Sequence, residues 1–174
     1  MARNYFFFSC CAITLLILYS CVERTTILET DSFAVQDTSV ISKIFLSDRK
    51  GNEITLLKIE NEWHVENEFL AREQSINTLL ETINRIRIKK PVSINHLDHI
   101  INDIITTGIK VEIYDANKLI KVYTVGNETS DQLGTYMILQ NIKDQKVISE
   151  PYVLHIPGFN GYLSPCLLYT SPSP

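Results

Sequence analysis

Ile76-Asn77-Thr78-Leu79-Leu80-Glu81-Thr82-Ile83-Asn84-Arg85-Ile86 sets its apolar residues at i, i+3, i+4, i+7 and i+10, which lines one face of a helix. Arg85, Arg87, Lys89 and Lys90 then gather at the expected C-terminal end, where they would complement the helix dipole, and Pro91 stops the helix. A second helix is expected next, capped by Ser93 or Asn95. Leu97, Ile100, Ile101, Ile104 and Ile105 repeat the pattern, and Gly108 stands at the C′ position. The period then changes to two. Ile109, Val111 and Ile113 face one way along a strand, and Lys110, Glu112 and Tyr114 face the other.

On the N-terminal side, Val40, Ile44 and Leu46 alternate as in a strand, and Asp48-Arg49-Lys50-Gly51-Asn52 supplies turn chemistry. Residues 54–59 return as a second strand, Asn61-Glu62 turns, and Trp63 and Val65 carry a third, completing a meander. Trp63 is read as its core anchor. On the C-terminal side, Asp115-Ala116-Asn117-Lys118 turns the chain into a strand over 119–125, and 126–134 is a polar loop. Segments 135–140 and 147–156 are further strands, with Pro151 marking an edge or break. Strands, two amphipathic helices and more strands predict an α+β domain, a mostly antiparallel sheet with both helices on one face.

The 174-residue chain is 45% hydrophobic and 21% charged, suited to one globular core. Its formal charge is −4. Removal of residues 1–20 takes away one basic residue, Arg3, and leaves 15 basic against 20 acidic residues, or −5. That balance argues against nucleic acid as a partner and offers no general attraction to anionic lipid. Cys10, Cys11, Cys21 and Cys166 lie near the two ends, so the body holds neither a disulfide framework nor a thiolate site.

After Met1-Ala2-Arg3-Asn4, residues 6–19 are almost wholly apolar. As a helix they would span about 21 Å, short of the ~30 Å hydrocarbon core, which suits a cleaved export signal. Leu18-Tyr19-Ser20-Cys21 resembles a bacterial lipobox, with Tyr19 bulkier than its usual occupant. The Cys21 thiol would take a diacylglycerol as a thioether, and signal peptidase would cut between Ser20 and Cys21. Two or three acyl chains, at ~0.8 kcal/mol per buried CH₂, suffice for stable anchoring. Residues 1–20 are thus expected to be a lipoprotein signal peptide, 21–37 the lipidated cysteine and a tether, and 38–164 the folded domain.

Catalytic signatures are missing. There is no Gly-x-Ser-x-Gly, no His-Glu-x-x-His and no glycine-rich loop ending in Lys-Ser/Thr. The most chemical grouping is His96, His99 and Asp103, whose i, i+3, i+7 spacing places two imidazoles and a carboxylate on one flank of the second helix. A solvated polar helix face accounts for the same residues, and a fourth ligand is unassigned. Phe159 and Tyr162, flanking Gly161 after Pro157, mark either an inward-packing turn or a partner contact.

Phe33-Ala34-Val35-Gln36-Asp37-Thr38, Trp63-His64-Val65, Val111-Glu112-Ile113-Tyr114, Gly134-Thr135-Tyr136-Met137 and Ile156-Pro157-Gly158-Phe159-Asn160-Gly161-Tyr162-Leu163 resemble the DUF4340-like group of Bacteroidetes-type envelope lipoproteins, over about 31–164. The resemblance implies an envelope-anchored domain without established activity, and it supplies no catalytic residue. Cys166-Leu167-Leu168-Tyr169-Thr170-Ser171-Pro172-Ser173-Pro174 resembles a translated sequencing-adapter tail, so 165–174 is expected to be non-native and the domain truncated before it. The expectation is a non-enzymatic lipoprotein without cofactor, held by its lipid to the inner or outer membrane. It would face the periplasm and contact an envelope protein. The alternative is a ligand- or metal-binding or enzymatic module using His96, His99 and Asp103.

Overall fold

The computed structural model describes residues 28–147 and 149–158. Strands β1 (Lys43–Ser47), β2 (Glu53–Ile59), β3 (Glu62–Val65) and β4 (Phe69–Leu70) precede helix α1 (Glu73–Arg85) and strand β5 (Arg87–Pro91). Helix α2 (Leu97–Thr107), β6 (Ile109–Asp115), β7 (Lys118–Glu128), β8 (Thr135–Leu139) and β9 (Tyr152–His155) follow. All nine strands form one sheet in the order β4-β3-β2-β1-β6-β7-β8-β9-β5, every neighbouring pair antiparallel. The α+β architecture read from the sequence is therefore present.

Local chemistry accounts for the hairpins. Glu60 and Asn61 between β2 and β3, and Glu66 and Asn67 between β3 and β4, all take positive φ. Two consecutive positive-φ residues give the primed turn whose twist matches that of the flanking strands. Gly51, at φ +86°, closes the β1–β2 turn while the Asp48 carboxylate accepts from the N–H groups of Lys50 and Asn52.

The sheet buries different residues on its two faces. Ile44, Leu46, Leu56, Val111, Ile113, Tyr123, Val125, Met137, Leu139 and Leu154 join Ile76, Leu79 and Ile83 of α1 in the main core. Ile138 and Val153, next in sequence to members of that core, instead pack with Ile100 and Ile104 of α2. Successive strand residues point to opposite faces, so the helices cover opposite faces of the sheet. The expectation of both helices on one face is corrected by that alternation.

Four other expectations change. Residues 33–35, assigned to the tether, are core: Phe33 is fully buried, with its ring 6.2 Å from Tyr123 and 6.4 Å from Tyr152. Arg87, Lys89, Lys90 and Pro91 do not finish α1 but form β5, the sheet's edge, paired with β9. Val40, 40% exposed, lies in a 3-10 turn ahead of β1 and shares no face with Ile44. Gly108 caps α2 with φ −66°, so the left-handed C′ geometry is not used. It is needed for space, since a Cβ there would strike the Ile104 carbonyl and come 2.7 Å from Thr124 Cγ2.

The two sheet edges are unlike. At β5, Ile88 donates its N–H to the Thr30 carbonyl at 2.8 Å, Pro91 has no N–H, and Lys89 and Lys90 are exposed. These are devices that discourage strand addition. At β4, Phe69 and Leu70 are 57% and 65% exposed.

Candidate functional site

The face of the sheet opposite the main core is covered by α2 only over β7–β9. Across β6 and the meander, register alone decides which side chains meet there. Tyr114 pairs with Lys43, Lys43 with Leu57, Leu57 with His64, and His64 with Leu70. These five residues form a transverse row from the centre of the sheet to the β4 edge. A neighbouring row holds Thr55, Phe45 and Glu112. His64 Nδ1 is buried and is without a hydrogen-bond partner among the described residues.

A polar network occupies the inner end of these rows. Glu112 is only 7% exposed, yet it accepts from Tyr114 Oη at 2.5 Å, Lys110 Nζ at 2.7 Å and Gln145 Nε2 at 3.1 Å. Lys110 also donates to Gln145 Oε1 at 2.6 Å, and the Lys43 ammonium lies 3.8 Å from the Tyr114 ring centroid. Burial pushes the Glu112 carboxyl up, but the hydrogen bonds from Lys110, Tyr114 and Gln145 and the Lys110 charge outweigh it. The net result is a carboxyl held below its ordinary value. Burial first, then the bond to Glu112 and its charge, push the Tyr114 hydroxyl up to about 12. Neither group is poised for proton transfer near neutral pH, where general acid–base catalysis works best. The arrangement binds strand to loop: Gln145 reaches Glu112 from the turn at 141–147.

Alternation places Lys110, Glu112 and Tyr114 on one face, and that part was legible. Burial of Glu112 was not, because Gln145 and Lys43 arrive from distant segments. The transverse row was missed for the same reason: a row exists only once strands are in register.

His96, His99 and Asp103 do not assemble as a trio. His99 Nε2 lies 3.7 Å from Asp103 Oδ2, with side chains 76% and 38% exposed. His96 sits in a 3-10 turn, Ile94–His96, just before α2, so the 100° phase linking the three breaks there. Among the described residues no group of three or more His, Cys, Asp or Glu is placed to hold a metal ion. Ser20, Cys21, Phe159 and Tyr162 lie outside the described residues. No described helix is long and apolar enough to cross a membrane.

Comparison with protein-family models, with curated proteins and with solved structures yields no match.

Proposed function

We propose that this chain is a non-enzymatic lipoprotein of the DUF4340-like kind. In this reading it is anchored through Cys21 in the cell envelope and faces the periplasm. Its β1–β4 end docks onto another envelope protein. The observation that carries the docking surface is the β4 edge, where Phe69 and Leu70 are 57% and 65% exposed on a strand that pairs, among the described residues, with β3 alone. A two-residue edge strand offers little template for strand addition, but its two exposed apolar side chains offer contact area to an apolar partner surface. The half-buried Leu57 and Phe45 extend the apolar surface inward from Leu70 along the same face. The lipobox resemblance at Leu18-Tyr19-Ser20-Cys21 supports the anchor.

The test is an affinity pull-down of the full chain from gently solubilised envelopes, with Phe69→Ser/Leu70→Ser and Cys21→Ala in parallel. The expected result is a stoichiometric partner whose affinity falls by about 2 kcal/mol or more in the edge variant, the scale of central apolar anchors. Cys21→Ala would lose membrane association. A partner retained in full by the edge variant would remove the docking surface. Substrate turnover by the purified protein, abolished by one point substitution, would remove the non-enzymatic reading.

A further inference from the structure

The opposite end of the sheet differs in chemistry and in its distance from the anchor. The Ile88 N–H donates to the Thr30 carbonyl, so the described chain begins alongside β5. Cys21 precedes Thr30 by nine residues, a span of at most about 30 Å fully extended. The β4 edge lies eight strand spacings further along the sheet order, up to about 38 Å at ~4.8 Å each. A lipid on Cys21 would therefore tether the domain from the β5 end of its sheet.

That edge has the composition such a surface selects. Lys89 and Lys90 are exposed on β5. Ile94, 83% exposed, follows three residues after Pro91, and Leu133, 45% exposed, sits on the β7–β8 loop, where its carbonyl accepts from Lys89 Nζ at 3.5 Å. Basic side chains beside exposed aliphatics are what interfacial segments present to headgroups and the acyl boundary. Asp131 is the acid that faces both lysines. Its carboxylate is already engaged by the Thr129 hydroxyl at 2.5 Å and the Leu133 N–H at 3.0 Å. The chain's overall charge of −4 gives no general attraction to anionic lipid, so any such contact must be local and oriented.

We propose that the β5 edge, with Lys89, Lys90, Ile94 and Leu133, rests on the anionic headgroups of the bilayer that holds the Cys21 lipid. The β4 end then points away from that surface. This orientation rests on the anchor of the preceding section, and it explains why the two edges carry different residues. β5 carries two exposed lysines, whereas β4 carries two exposed apolar side chains.

The test uses the full lipidated protein in vesicles of phosphatidylcholine, with or without phosphatidylglycerol. The readout is the amine-labelling rate of Lys89 and Lys90 relative to Lys50 in the β1–β2 turn. On anionic vesicles the relative rate should fall about fivefold, the contribution of a single lysine at such a surface. Added salt should restore it, because the interaction is screened. In Ile94→Ser/Leu133→Ser the protection should weaken while the protein stays on the vesicles. An unchanged ratio of Lys89 and Lys90 labelling to Lys50 labelling between the two vesicle types, with the protein vesicle-bound, would overturn the orientation and leave the anchor standing. A protein that does not remain with either vesicle would overturn both.

Discussion

Strands β7–β9 and the β2–β4 meander belong to one sheet but are built on different terms. β7 buries Val122, Tyr123, Thr124, Val125 and Gly126 in succession, because the main core lies under one face and α2 over the other. β2 buries only Leu56, and β3 and β4 bury no residue. A strand covered on both faces reads as a continuous apolar run, whereas one covered on a single face alternates. Among the described residues, the β7–β9 half is covered on both faces and the meander half on one.

The two halves should differ most at the α2 contact. Ile104 is 2% exposed, and Ile104→Ala should cost about 2–5 kcal/mol of unfolding free energy. Leu57→Ala, at a half-buried site in the meander, should cost below about 1 kcal/mol. Urea titrations of both variants measure the contrast, and equal losses would show that the halves do not differ in this way.

A smaller effect is expected where β7 meets α2. A Cβ on Gly126 would come 2.6 Å from Ile104 Cγ1 and 3.1 Å from the Tyr136 carbonyl, so Gly126→Ala should cost about 1–3 kcal/mol through overpacking. Hydrogen exchange should quicken in α2 while β2–β4 amides keep their rates. Acceleration in the meander would mean that the two halves open together.

The smallest effect lies on β6, at the boundary between them. Tyr114→Phe should cost about 1 kcal/mol by removing one hydrogen bond to Glu112. The pH dependence is the sharper readout. The Tyr114 hydroxyl is raised from 10.0 to about 12 on folding, so its stabilising contribution is complete below pH 10 and is lost as pH rises through 12. Glu112, whose carboxyl is lowered, contributes above the ordinary glutamate range and loses that contribution as pH falls through its folded value. The alkaline limb of a stability–pH curve should flatten in Tyr114→Phe, with the acid limb largely kept. An unchanged alkaline limb would show that Tyr114 is not the group responsible.

Much of the architecture was legible because it rests on local periodicity. Ile76, Leu79 and Ile83, and Ile100 and Ile104, are buried as the helical spacing requires. Ile109, Val111 and Ile113 are buried as the alternation requires. Residues 33–35 were not legible as core, since three residues carry no period and Phe33 packs on Tyr123 and Tyr152 from distant strands. Of His96, His99 and Asp103, only His99 and Asp103 come together, because spacing in a helix speaks for residues inside the helix and His96 lies before its first turn.

By itself, the sequence determined element type wherever apolar residues recur over two or more turns of helix or several strand positions, because that recurrence dictates which face leaves water. It also carried the acidic balance and the absence of known catalytic motifs. That β5 is a strand, that α1 and α2 lie on opposite faces, and that Glu112 is buried beside Lys110, Tyr114 and Gln145 emerge in three dimensions alone. Each of these depends on pairing between segments far apart in the chain. β5 meets β9 across more than fifty residues, and Gln145 reaches Glu112 across 33. Local periodicity cannot encode such pairing, because strand register and helix placement are chosen by the packing of the whole sheet.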